Sequence, residues 1–232
     1  MNAEQVDLDA ALVAEVSARA AAIRERLAAA GSDAEIVAVT KRHPASVPLA
    51  ALAAGLVDLG ENYVQELLAK AAFVGPAAAA LGLPAPRWHL IGGIQTNKVR
   101  LLGSVVHTVQ TVDRPSLVAE LARRSPGQRV LVQLDLAGSE GRSGCASDDV
   151  DELVDAAQRA GLDVVGLMGV AAPRATVGDA EVGAQFRRLT VAADRLGLEV
   201  RSMGMTDDLD LAVAAGSTMV RLGTALFGVR AT

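Results

Sequence analysis

Residues 35–41 read EIVAVTK: Ile36, Val37, Ala38 and Val39 form an unbroken apolar run that ends in a threonine and a lysine. A strand with one wet face alternates apolar and polar residues. A short run without that alternation belongs in a sheet covered on both sides. The same signature recurs at 56–62 (LVDLGEN), 87–93 (RWHLIGG), 105–111 (VVHTVQT), 129–136 (RVLVQLDL), 163–170 (DVVGLMGV), 199–205 (EVRSMGM) and 218–224 (TMVRLGT). With the first run that makes eight. Helical segments are predicted between them over 62–73, 114–124, 147–160, 178–197 and 206–216; the third has Ser147 and two aspartates at its start and Gly161 at its end. Parallel strands alternating with helices, eight times over, predict an α/β fold: a single closed (β/α)8 TIM barrel occupying residues 1–232 as one domain. A doubly wound open sheet is the alternative arrangement of the same elements.

Leu12, Val16, Ala20, Ile23 and Leu27 recur every three or four residues before the first run, with Gly31 following. They predict an extra N-terminal helix over 6–30. The Pro/Gly/Ala-rich stretch 75–86 reads as the most loop-like part of the chain.

The 232 residues carry a formal charge of −5, are 51% hydrophobic and only 2% aromatic, so the core must be aliphatic. The acidic balance argues against a general nucleic-acid binder, which needs a basic face to displace counterions. Cys145 is the only cysteine, which excludes an internal disulfide and a multi-cysteine metal cluster. The N-terminus has acids where a signal peptide has basic residues, and no stretch approaches the roughly 20 apolar residues of a membrane helix. These features lead to the expectation of a cytoplasmic protein with no membrane partner.

In a barrel of this kind the chemistry sits at the strand C-termini. After the seventh and eighth runs come SMGMTDD and RLGTALFG, where Gly204, Gly223 and Thr224 let backbone amides and a hydroxyl converge on an anion; this is the recurrent phosphate position of the fold. The alternative is that these glycines only make turns. Lys41 closes the first run. An amine partly removed from water becomes a nucleophile toward aldehydes, so an aldehyde bearing a phosphate could be gripped by Lys41 and by turns on the opposite rim. Arg221 interrupts an apolar strand, where a charge is costly unless partnered. It serves either a rim salt bridge or a hydrogen bond to a ligand's ring nitrogen.

The segments AVTK (38–41), GENYVQE (60–66), WHLIGGIQTNK (88–98), VDR (112–114), GLMGVA (166–171) and SMGMTDDLDLAVAAGSTMVRLGTALFG (202–228) follow one another around the chain. In them the sequence resembles the YggS/PROSC family of pyridoxal phosphate (PLP) homeostasis proteins. The resemblance implies a barrel of the alanine racemase N-terminal type with PLP, a vitamin B6 form, as cofactor. On the matching positions, Lys41 is implied to hold PLP as an aldimine. Ser202, Met203, Gly204, Gly223 and Thr224 are implied to form the phosphate turns, Arg221 to face the pyridine nitrogen and Asn62 to lie beside the ring. His89 belongs to a family motif and reads equally well as a hydrogen-bonded barrel histidine. Arg142 stands where many relatives carry a lysine, and an arginine cannot form an aldimine.

Arginine cannot protonate the pyridine nitrogen, and the chain ends eight residues after Thr224, leaving no room for the second domain of related racemases. The implied function is therefore a PLP carrier or regulator of PLP and amino-acid pools without robust catalysis, with PLP-dependent apoenzymes as candidate recipients. A low-activity racemase is the alternative. A sugar-phosphate aldolase using Lys41 is a third reading.

Overall fold

The computed structural model describes residues 8–138 and 143–228. Eight parallel strands close into one barrel in sequence order: β1 (Glu35–Val39), β2 (Asp58–Glu61), β3 (Arg87–Leu90), β4 (Val106–Val112), β5 (Arg129–Leu134), β6 (Asp163–Gly169), β7 (Val200–Ser202) and β8 (Met219–Leu222). Seven strands lie inside their predicted apolar runs, and β4 runs one residue past its own, to Val112. The closed ring excludes the open-sheet alternative, because β1 pairs with β8 through Glu35–Met219 to Ala38–Leu222.

The helices are α1 (Ala10–Ala29), α2 (Ser46–Ala53), α3 (Val64–Ala80), α4 (Pro115–Arg124), α5 (Val150–Arg159), α6 (Arg174–Arg195), α7 (Leu209–Ala214) and α8 (Thr224–Phe227). The N-terminal helix α1 begins where the Asp9 carboxylate accepts hydrogen bonds from Ala11 N–H (3.0 Å) and Leu12 N–H (3.1 Å), a side-chain N-cap. It buries Val16, Ala20, Ile23 and Leu27, as their spacing predicts. Two aromatic residues do join the aliphatic core, Phe186 and Trp88.

Three local readings change. The stretch 75–86 is not all loop, because α3 continues through Pro76 to Ala80. Val74, Ala77 and Ala78 are buried there, and their packing, with alanine's helix preference, outweighs the hydrogen bond that proline forfeits. Between β3 and β4 stands only a 3-10 turn, Thr96–Leu101. Ser147 starts another 3-10 turn, Ser147–Asp149, rather than capping α5. Among the described residues no helix is long and apolar enough to cross a membrane.

Candidate cofactor-binding site

A cavity of about 430 Å³ opens at the C-terminal mouth of the barrel. Lys41 and Asn62 reach it from the ends of β1 and β2, Thr206 and Asp207 from the turn after β7, and Gly223 and Thr224 from the end of β8. Arg221 enters from within β8. Because closure sets β8 beside β1, Lys41 and the Gly223–Thr224 turn adjoin one another instead of standing on opposite rims.

Lys41 is half-buried, and the turn carrying it is fixed from behind. Lys70 on α3 donates to the Thr40 carbonyl (2.6 Å), to Glu61 Oε1 (2.7 Å) and to Glu66 Oε1 (2.7 Å). The Thr40 hydroxyl also donates to Glu61 Oε1 (2.7 Å), and the Arg42 N–H donates to the Glu66 carboxylate. Arg42 adopts a φ of 61°, the left-handed region that a non-glycine residue enters only when its surroundings impose it. Burial raises the Glu61 carboxyl above its usual range, against the opposing hydrogen bonds of Lys70 and Thr40. None of Glu61, Glu66 and Lys70 stood out in the sequence. The available signal was Glu66 and Lys70 four residues apart on a helix, which ordinarily marks a surface pair.

Arg221 is buried, and its partners are not those of a rim salt bridge. Nη1 donates to the Ser202 carbonyl (2.7 Å) and hydroxyl (2.8 Å), and Nη2 donates to the Gly169 carbonyl (2.9 Å). These are neutral acceptors deep in the barrel, not a rim salt bridge. Burial lowers its pKa to about 10, countered by the Asp208 carboxylate, so it stays a cation at neutral pH. A guanidinium has five N–H donors, so donors remain for a ligand in the cavity.

Ser202, Met203 and Gly204 are buried behind the cavity wall. The Met203 N–H donates to the Met219 carbonyl (3.0 Å), and the Gly204 carbonyl accepts from the Arg221 N–H (3.0 Å). Gly204 has φ 96°, and a Cβ there would collide with Ala212 of α7. What these residues do is set the position of the next turn, whose Thr206 and Asp207 reach the cavity. Asp208 holds that turn by accepting from the Met205 N–H (2.6 Å). Thr206 Oγ1 accepts from the Ala225 N–H (3.3 Å), tying the turns after β7 and β8 together. His43 lines the mouth with its ring 5.4 Å from that of Phe227. His89 does not reach the cavity; it lies inside the barrel between Asp58 and Gln110. Arg142 lies outside the described residues.

Asn62 depends on a glycine. A Cβ on Gly92 would stand 2.8 Å from Asn62 Cα and closer still to its carbonyl oxygen. Gly92→Ala is therefore expected to displace Asn62 and weaken ligand binding about tenfold, at a stability cost of about 1–3 kcal/mol. Titration and thermal unfolding of the same variant check both numbers.

The family model described as alanine racemase, N-terminal domain matches residues 13–231. A pyridoxal phosphate homeostasis protein of Pseudomonas aeruginosa is 42% identical over 228 residues, covering 94% of each chain. The protein of the same name from Escherichia coli is 35% identical, over 90% of this chain and 94% of its own. The solved structure of PipY from Synechococcus elongatus with PLP bound superposes with a TM-score of 0.78 at 33% identity, over 92% of this chain and 100% of its own.

Proposed function

The chain belongs to the family of pyridoxal phosphate homeostasis proteins, built on the alanine racemase N-terminal domain, and from that premise we propose that it binds PLP at the barrel mouth and serves intracellular PLP homeostasis. One observation carries the reading: an amine, a buried guanidinium with donors to spare and a pair of hydroxyl- and glycine-bearing turns line the same cavity. Those groups answer the three recognisable parts of PLP, an aldehyde, a ring nitrogen and a phosphate. The Lys41 amine, which lines the cavity, would hold PLP through its aldehyde. The Thr206 and Thr224 hydroxyls and the Gly223 backbone receive the phosphate, Arg221 donates to the ring nitrogen and Asn62 lies beside the ring. Ser202, Met203 and Gly204 support these contacts from behind. When bound, PLP supplies an electrophilic carbon and a ring able to delocalise charge.

The same geometry limits catalysis. A guanidinium beside the ring nitrogen does not surrender its proton at neutral pH, so the ring stays a weaker electron sink. We infer a holding and supply role, in the cytoplasm, carried by one barrel unit, with PLP-dependent apoenzymes as recipients of the cofactor.

Protein stripped of cofactor is expected to take up one equivalent of PLP, retain it through gel filtration and pass it to a PLP-requiring apoenzyme. Failure to take up PLP overturns the binding proposal. Amino-acid racemisation well above a free-PLP control overturns the non-catalytic half of it.

A further inference from the structure

Five polar side chains inside the barrel form one continuous chain. The Arg221 Nη1 donates to Ser202 Oγ (2.8 Å). Ser202 Oγ donates to Gln110 Oε1 (2.7 Å). Gln110 Nε2 meets His89 Nδ1 (2.9 Å), and His89 Nε2 meets Asp58 Oδ1 (2.9 Å). Ser202 is on β7 and Gln110 on β4, strands that do not adjoin, so that bond crosses the barrel interior. A second bond from Gln110 Nε2, to Met219 Sδ on β8 (3.3 Å), crosses it as well. Asp58 is the first residue of β2 and Arg221 the third of β8, so the chain runs from the N-terminal end of the barrel toward its mouth. His89, Gln110 and Ser202 are all essentially excluded from solvent.

The ends give the chain a direction. Arg221 can only donate, so the Ser202 oxygen accepts from it and turns its own proton toward Gln110. Gln110 then presents its oxygen to Ser202 and its NH₂ to His89. His89 Nδ1 must therefore be the acceptor, and Nε2 carries the proton toward Asp58. At that end the polarity agrees: hydrogen bonds from His89 and Arg87 outweigh burial and hold the Asp58 carboxyl below its usual range, so it accepts. Arg87 Nε also donates to Asp58 Oδ1 (2.8 Å), which anchors the far end. A flipped Gln110 would take from the Ser202 proton its acceptor and from the Met219 sulfur its donor, and would set its oxygen against Nδ1, which would then have to carry a proton. Buried polar networks are costly when left partly satisfied.

We propose that this one-way relay through the barrel interior holds both Nη1 hydrogens of Arg221 turned inward on Ser202, so that His89 and Gln110, which do not line the cavity, are positioning residues for the ring-nitrogen contact. The proposal rests on Arg221 meeting the ring nitrogen. It adds that the orientation of the guanidinium is set some four residues away, from the opposite end of the barrel.

Two measurements separate this inference from the binding proposal. Nitrogen-15 NMR of the cofactor-free protein needs no PLP. With three histidines in the chain, the His89→Phe difference spectrum assigns the ring, which is expected as the neutral tautomer protonated at Nε2. In Gln110→Glu the new carboxylate can only accept, so Nδ1 is expected to gain a proton. On wild-type protein that takes up PLP, His89→Phe and Gln110→Leu are expected to shift the visible absorbance of the bound cofactor and to raise the PLP dissociation constant about tenfold. An Nδ1–H tautomer in the wild type overturns the relay. So do folded variants whose band and affinity match the wild type. Wild-type protein that takes up no PLP sinks the function proposal, while the tautomer result still stands or falls alone.

Discussion

Lys41→Ala is expected to lose the visible absorbance of PLP-treated protein and to retain PLP at least tenfold more weakly, while remaining folded. The chain has three lysines, and the other two are placed for different work. Lys70 is buried with its ammonium held by Thr40, Glu61 and Glu66; Lys98 lies in the 3-10 turn between β3 and β4. Only Lys41 lines the cavity. Borohydride reduction followed by peptide mass mapping should therefore mark Lys41 alone. Lys41→Arg sharpens the test, because it keeps the positive charge but cannot condense with an aldehyde. If the grip were mainly charge attraction, Lys41→Arg would hold PLP nearly as well as the wild type. If it is covalent, both variants lose the colour, and Lys41→Arg keeps a residual affinity through the phosphate turns. Colour that survives in Lys41→Ala after dialysis would exclude Lys41 as the attachment point.

The strands were legible because they are short, mostly apolar runs that alternate with helical segments, residues 36–39 of β1 being the clearest, a pattern that a sheet covered on both faces explains. Lys41 and the glycine turns were legible because the strand ends of a barrel converge on one mouth. The relay was not, although its traces were present: His89 and Gln110 are polar residues inside otherwise apolar runs. Which of them meet depends on the register between strands and on β4 facing β7 across the interior, and neither is written in local sequence. For Ser202, the partners of the hydroxyl were hidden for the same reason. Its backbone belongs to a turn motif, but its hydroxyl belongs to the interior chain between Arg221 and Gln110. Pro76 misled in the other direction, since a proline tolerated mid-helix is a matter of what the rest of α3 buries.

Lys70→Met is expected to be the most destabilising single change near the site, and its cost should exceed that of Glu61→Gln. Glu61 is wholly buried, and its second oxygen has no hydrogen-bond partner among the described residues. Removing Lys70 strips that carboxylate of its counter-charge, which typically costs about 3–5 kcal/mol for a buried pair. In a chain of this length each kcal/mol lowers Tm by about 2–4 °C, so a fall of roughly 10 °C is expected. Glu61→Gln leaves Lys70 with the Thr40 carbonyl and Glu66, and should cost only about 1–2 kcal/mol. Proton linkage gives the two proteins different acid profiles. A carboxyl whose folded-state pKa is raised binds its proton more tightly when folded, so its charged form weakens the fold at neutral pH and that weakening is relieved as pH falls through the raised value. Lys70→Met should therefore regain part of its lost stability on mild acidification, whereas Glu61→Gln, with no proton to take up, should not. Denaturant unfolding at pH 5 and pH 7 reads this difference directly. The functional consequence follows from Thr40, whose carbonyl Lys70 holds beside Lys41: even at a temperature where Lys70→Met is folded, it should retain PLP less well than Glu61→Gln. Equal stability of the two variants, or a Lys70→Met protein that holds PLP like the wild type, would show that the turn carrying Lys41 does not depend on this network.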